Sequence, residues 1–392
     1  MTGQPIQSLE DCRVLVVDDN EDNRYVATKL LHRIGVGTVE IAEDGIIGLE
    51  KAAEFHPDLI VLDIMMPNLD GFGVLQGLRS NPAFRDVPVL VQTASDTPEH
   101  RVRMFTEGGT DFVSKPLIPR EFQGRVRVHL ENRLLVRRLS QELARVDEEL
   151  STAEGLQRNL MPDEDEIANL RQDYGLSVAY EFKACSRLGG DFWGALPLDE
   201  TQAGVFICDF AGHGVSAALN TFRLHTLILQ EIKRTRAPGA LTAALNDSLK
   251  PLMMRGDFAT FMFGTVDTAN DVLTYAAAAV PNPIIGRAGT GITQVLDGRG
   301  LPLGISVGID YAEATADFPP GSFMLLYSDA LFECRAPDGE AIGKDGFIDL
   351  VDQATKQDGA DAAGIVGEVM ARFRERVPEP LNDDLTCVCI TR

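Results

Sequence analysis

Short runs of consecutive apolar residues alternate with amphipathic stretches over the first third of the chain. Residues 13–17 read as a strand ending at Asp18 and Asp19, and 59–62 as a second ending at Asp63. A third run, 87–91, ends near Thr93, and a fourth, 111–113, precedes Lys115 and Pro116. Continuous apolar strands separated by helices predict a parallel sheet covered on both faces, an α/β domain. From 120 to about 160 the pattern becomes that of one long helix without Pro. In it Val136, Leu139, Leu143, Val146, Leu150 and Ala153 follow a 3-4-3-4 spacing, a coiled-coil seam. Met161-Pro162 stops this helix. Beyond about 174, strand-like runs at 204–208, 261–266, 323–327 and 385–390 mix irregularly with helical stretches at 216–230 and 362–374. That texture predicts an α+β domain.

A length of 392 residues agrees with two or three domains. Hydrophobic residues make up 44% and charged residues 24%, enough for each domain to bury a core. The net charge of -23 argues against nucleic acid or an anionic membrane surface as partner. No basic recognition helix supports a DNA-binding regulator. No apolar run is long enough to span a bilayer, and the polar first ten residues lack the apolar stretch of a signal peptide. The six cysteines are scattered through apolar runs, with Cys387 and Cys389 on one side of a strand, which predicts reduced core thiols. Together these features predict a cytoplasmic protein.

The chemistry begins where the strands end. Asp18, Asp19 and Asp63 fall at the C-terminal ends of core strands, the edge at which open parallel sheets bind ligands. Clustered carboxylates repel one another unless a cation lies among them, and an all-oxygen set suits Mg²⁺. Lys115 and Thr93, at two further strand ends, could supply an ammonium and a hydroxyl to a phosphate there. The stretches "VLVVDDN", "DLIVLDIMMPNLDGFGVL", "PVLVQTAS" and "GGTDFVSKPL" resemble the response-regulator receiver domain over 13–122. The resemblance implies a flavodoxin-like five-stranded parallel sheet in which Asp63 accepts a phosphoryl group from a sensor histidine kinase or phosphotransfer protein. It further implies that Asp18, Asp19, Asp63 and the Met65 carbonyl arrange Mg²⁺. Thr93 and Lys115 would read the phosphoryl group, with Phe112 as the aromatic switch.

Four acidic motifs punctuate the second half: Asp191 in "RLGGDFWG", Asp209 in "VFICDFAGHGVSAAL", Asp329 in "FMLLYSDALFE", and Asp383 with Asp384 in "NDDLTCVCI". Apolar strands that end in bare carboxylates suggest convergence on hard cations, which activate water and neutralise a phosphoryl group in transfer. Gly189, Gly190, Gly212 and Gly214 permit close approach or sharp turns. His213 reads as a turn histidine near a helix start and Trp193 as packing. With "LQRNLMP", "DFATFMFG" and "GLPLGI", these motifs resemble the metal-dependent PP2C-type protein phosphatases of the bacterial SpoIIE/RsbU-like branch from 156 onward. The resemblance implies an α+β, PP2C-like β-sandwich flanked by helices and two Mn²⁺ or Mg²⁺ ions. Asp191, Asp209 and the Phe210 carbonyl would hold one ion and Asp209, Asp329 and Asp383 the other. Hydrolysis would proceed without a covalent enzyme intermediate.

The expected organisation is a receiver over 10–122, a helical coiled-coil linker over 123–162 and a phosphatase domain over 170–392. The expected function is a response regulator whose phospho-aspartate state controls dephosphorylation of a STAS-type anti-sigma factor antagonist, acting as a homodimer through the linker. Three positions depart from the family pattern: Gly194 for a second Asp, Ala330 for the Gly of a Ser-Asp-Gly turn, and Ala279-Val280 for Gly-His. They keep open an alternative, a catalytically weak adaptor that sequesters a partner. Ala330 matters if its backbone needs positive φ.

Overall fold

The computed structural model describes residues 8–94, 98–212, 214–335, 341–356, 361–377 and 381–392. The chain divides between Asp147 and Glu148 into two compact units.

In the first unit strands and helices alternate: β1 (Arg13–Val17), α1 (Glu21–Arg33), β2 (Thr38–Ala42), α2 (Gly45–Phe55), β3 (Leu59–Asp63), α3 (Gly71–Ser80), β4 (Val89–Thr93), α4 (Pro98–Thr106) and β5 (Asp111–Ser114). The strands form one sheet in the order β2-β1-β3-β4-β5, and every pairing is parallel. This is the expected five-stranded receiver sheet. Side chains of α1 pack on one face and those of α2, α3 and α4 on the other. Burial of β3 on both faces explains its unbroken apolar run. The edge strand β2 is half-exposed and has no such run. β4 begins at Val89, two residues later than the pattern predicts. Pro88 has no N–H for a ladder, and the Val87 N–H closes a turn on the Phe84 carbonyl at 3.1 Å.

The helix α5 (Pro119–Arg158) is 40 residues long, or roughly 60 Å at 1.5 Å per residue. It starts in the first unit and ends in the second. Phe122, Val126, Leu130 and Leu134, one turn apart, are buried on the α1 face of the sheet. Arg137 then pairs with the buried Asp58. From 138 to 149 every residue is exposed, including the seam residues Leu139, Leu143 and Val146.

The second unit continues with α6 (Glu164–Tyr174), β6 (Ser177–Lys183), β7 (Asp191–Pro197), β8 (Gln202–Phe210), α7 (Val215–Glu231) and α8 (Pro238–Leu249). Five strands follow: β9 (Ala259–Asp267), β10 (Val272–Ala278), β11 (Ile284–Arg287), β12 (Gly291–Val295) and β13 (Glu313–Asp317). The last elements are β14 (Ser322–Tyr327), α9 (Ala330–Glu333), α10 (Gly343–Thr355), α11 (Ala362–Arg376) and β15 (Leu385–Thr391). Two five-stranded sheets result, β13-β10-β9-β8-β7 and β12-β11-β14-β15-β6. They face each other across a core that includes Trp193, Ile207, Met262, Met324 and Val388. Trp193 lies there beside Tyr180, ring centroids 4.8 Å apart, in the packing role expected of it. α7 and α8 cover the outer face of the first sheet, and α10 and α11 that of the second.

All six cysteines are free, and five are buried; Cys185 is partly exposed, so the expectation of six core thiols holds for five. Among the described residues no helix is long and apolar enough to cross a membrane. Ala279, just after β10, has φ +63°. A Cβ in that left-handed region costs about 1 kcal/mol, so Ala279→Gly is expected to stabilise the C-terminal unit. A thermal midpoint raised by roughly 2–4 °C would show it, and an unchanged or lower midpoint would refute it.

Candidate functional site

The first site lies at the C-terminal edge of the parallel sheet. Asp18, Asp19 and Asp63 each bring one carboxylate oxygen within 4.8 Å of the other two. Asp18 and Asp63 are buried and Asp19 is exposed. Lys115 Nζ stands between the buried pair, 2.8 Å from Asp18 Oδ2 and 2.7 Å from Asp63 Oδ2. Burial pushes the Asp63 carboxyl above its ordinary range, against the pull of Lys115. Burial also opposes the Lys115 charge, but its two carboxylates outweigh that and hold it above the usual lysine range. Asn20 N–H and Asn23 Nδ2 donate to Asp18 Oδ1 at 2.9 and 3.1 Å, fixing its orientation. The donor set fits one small hard cation.

Thr93 ends β4, next to β3, and Phe112 lies on β5. The Phe112 ring meets Phe105 edge-on at 6.4 Å, with the guanidinium of Arg101 at 4.8 Å and that of Arg125 at 5.5 Å. Beside it a cavity of about 350 Å³ is lined by Ile64, Phe72, Val91, Thr93, Met104 and Phe112. Threonine and aromatic ring therefore border one apolar space. Met65, whose carbonyl was assigned to the ion, has an exposed side chain, and its N–H is 3.4 Å from Asp63 Oδ1.

The second site follows from antiparallel pairing. β8 ends where β7 begins, so Asp209 and Asp191 are direct cross-strand partners. β14 ends where β15 begins, which places Asp329 beside Asp383 and Asp384. Thr386 of the second sheet donates to Asp191 Oδ2 at 2.7 Å, joining the two sheets at this point. Burial and the neighbouring Asp209 and Asp384 push Asp191 well above the carboxylate range. Burial and Asp329 push Asp209 up to about 7, and burial and Asp383 push Asp329 up to about 6. Asp191 Oδ1 is buried with no hydrogen-bond donor. A buried carboxylate oxygen without a donor, set beside the carboxylates of Asp209 and Asp384, fits hard divalent ions. Among the described residues only the receiver triad closes to within 4.8 Å, so the second cluster is the more open of the two.

The glycines have distinct reasons. A Cβ on Gly190 would lie 2.6 Å from the Phe210 carbonyl oxygen, the backbone group assigned to an ion. Gly212 and Gly214 have φ of +90° and +82°. A Cβ on Gly194 would lie 2.3 Å from the Phe206 ring, so an aromatic side chain fills the space where the family carries its second Asp. Ala330 lies in the helix α9, outside the positive-φ region, so no strain follows from its methyl group. His213 lies outside the described residues.

The supporting roles of two residues escaped the sequence reading. Asp384 accepts from Cys185 N–H at 2.8 Å and Gly190 N–H at 2.5 Å, holding the segment that leads into Asp191. Gln157, buried near the end of α5, donates to the Gly189 carbonyl at 2.6 Å and accepts from the Gly189 N–H at 3.1 Å. Its place in "LQRNLMP" was the available signal.

Residues 14–127 match the family model of the response regulator receiver domain, and residues 199–392 that of stage II sporulation protein E (SpoIIE). The chain is 42% identical over 118 residues to Response regulator MprA of Mycobacterium ulcerans, covering 30% of this chain and only half of that protein's length. It is 32% identical over 124 residues to Protein PilG of Pseudomonas aeruginosa, covering 32% of this chain and 91% of PilG. In fold it is similar to the SiaA-PP2C domain of Pseudomonas aeruginosa, with a TM-score of 0.56 and 21% identity, covering 64% of this chain and 98% of that domain.

Proposed function

We propose, because this chain belongs to the response regulators and carries a SpoIIE PP2C-type domain behind its receiver, that phosphorylation of Asp63 controls hydrolysis of a phosphoserine or phosphothreonine protein. The observation that carries this reading is the convergence of Asp191, Asp209, Asp329 and Asp383 from two sheets on one end of the sandwich. Divalent ions there supply charge neutralisation and an acidified water. Asp191, Asp209 and the Phe210 carbonyl would hold one, and Asp209, Asp329 and Asp383 the other. The unstrained Ala330 removes one feature that favoured an inactive adaptor.

In the receiver, Asp18, Asp19, Asp63 and the Met65 carbonyl would hold Mg²⁺. A phosphoryl group on Asp63 draws Lys115 and Thr93 to its oxygens. Phe112 then turns into the cavity that Thr93 borders. The donor is a histidine kinase or phosphotransfer protein, and the substrate a phosphorylated STAS-type anti-sigma factor antagonist. The exposed Leu139, Leu143 and Val146 support a homodimer through α5. Gln157 gives α5 a grip on Gly189, two residues before Asp191. A turn of the helix breaks or makes those two hydrogen bonds, and activation is the favoured sign.

Phosphate release from the phosphoserine antagonist tests this reading. Release is expected to require Mn²⁺ and to rise about tenfold with beryllofluoride at Asp63, a usual size for coupling between sites. Leu143→Glu with Val146→Glu is expected to be monomeric by light scattering and to lose the rise. A wild type that binds Mn²⁺ and releases no phosphate in either state would put the adaptor in its place.

A further inference from the structure

We propose that the C-terminal domain recognises its protein substrate through an apolar surface beside the second carboxylate cluster, formed by Val215, Leu219, Met254, Leu301, Ile305 and Val307. The occupant is an apolar face of the phosphoprotein adjoining its phosphorylated residue. This rests on the phosphatase reading above and adds where protein specificity is decided.

Each of the six side chains is 47–63% exposed. Single exposed aliphatic residues are ordinary, but a contiguous group marks an interaction surface. Hydrogen bonds join the three segments that carry them. α7, with Val215 and Leu219 one turn apart, starts directly after the loop that follows Asp209 and Phe210 at the end of β8. Ala211 N–H of that loop donates to the Phe258 carbonyl at 3.0 Å. Arg223 of α7 donates to the Leu252 carbonyl at 2.8 Å, and Asn220 Nδ2 to Asp257 Oδ2 at 3.3 Å. The 252–258 segment thus lies along both α7 and the catalytic loop.

The third segment, 301–307, packs on the second. Leu303 pairs with Ala259, and a Cβ on Gly304 would lie 2.4 Å from the Met253 sulfur. Asn246 accepts from Gly304 N–H at 3.0 Å and donates to the Ser306 carbonyl at 2.7 Å, while Asp247 accepts from Gly308 N–H at 2.8 Å. These bonds hold the loop on α8. Leu303 enters the core, and Leu301, Ile305 and Val307 remain outside. The motif "GLPLGI" therefore presents apolar side chains from a fixed backbone.

In a chain of net charge -23, this surface is bordered by the exposed Arg223 and Arg255 and the partly exposed Lys250, together with the carboxylates Asp247 and Asp257. An apolar centre beside the carboxylate cluster, with a rim of both charges, fits a protein whose phosphorylated residue adjoins an apolar face. A small aryl phosphate reaches the cluster without touching this surface. Docking energy from it therefore acts on kcat/KM for proteins alone.

The test uses the full chain with Mn²⁺, p-nitrophenyl phosphate and a phosphoserine STAS-type antagonist. Leu219→Ser with Ile305→Ser is expected to lower kcat/KM for the antagonist about thirtyfold, the scale of losing an interface hot spot, and to leave p-nitrophenyl phosphate turnover within about twofold. Met254→Ser with Val307→Ser is expected to act alike, should the first pair fold poorly. Equal losses on both substrates, or no loss on either, overturn the proposal. So does a changed oligomeric state in the variants, which assigns the surface to a second copy. A wild type inert toward both substrates defeats the phosphatase reading separately. In that case binding of the antagonist decides: weaker binding by the variants sustains the docking surface, and equal or absent binding overturns it.

Discussion

Asp209→Ala is expected to lower phosphate release by about a thousandfold or more, the scale seen when a central group of a catalytic set is removed. Asp209 is the cross-strand partner of Asp191 and feels Asp329 and Asp383 from the opposite sheet. It is thus the carboxylate we propose to serve both ions. The fold should survive the change. Burial and like charges already push Asp209 up to about 7 despite a hydrogen bond with Asp191, so in chelator its removal relieves a net repulsion. The variant is expected to melt no lower than wild type in EDTA, and to gain less thermal stability from Mn²⁺. A variant that keeps a tenth of wild-type turnover would remove Asp209 from its central role.

Asp63→Asn is expected to reduce acid-labile phosphate uptake from a small phosphodonor and Mg²⁺ to background. Asp63 is the acidic residue at the end of β3 that shares Lys115 with Asp18. A carboxamide is no nucleophile, and it gives up half of the anionic pair that holds the lysine. Phosphatase turnover of the variant should stay at the unstimulated level in the presence of phosphodonor, while Asp209→Ala should still take up phosphate on Asp63. Equal uptake by Asp63→Asn and wild type would move the acceptor elsewhere.

The strands that carry chemistry were legible because their burial and their terminal charges lie side by side in the chain. β3 is apolar until Asp63, and β14 until Ser328 and Asp329. Two edge strands were not legible: β2 and β13 each bury only one of their five residues, so neither shows an apolar run. β4 was read two residues early because Val87 and Pro88 are apolar although they precede the strand. The four core carboxylates could be picked out as ends of strands, yet their supports could not. Asp384 grips a backbone N–H 194 positions away and Gln157 one 32 positions away. Neither partner can be read from the neighbouring residues; each contact arises only when distant segments fold together. Gly194 illustrates the converse. Its sequence suggested a missing acid, whereas the Phe206 ring across the strand pair shows a space already filled.

Trp193 gives the protein an optical reporter. It is the single tryptophan of 392 residues, so all indole emission comes from one place. That place is β7, next but one to Asp191, in the buried layer between the sheets beside Tyr180, with no protein acceptor among the described residues for the indole N–H. Emission from such a site is blue and sensitive to small shifts of the strand. Ion capture by Asp191, and any tug from Gln157 on the segment before it, would therefore alter the fluorescence of the unlabelled chain. Tyr180 is a donor to the same indole, and the receiver has no tryptophan to add background at its wavelength.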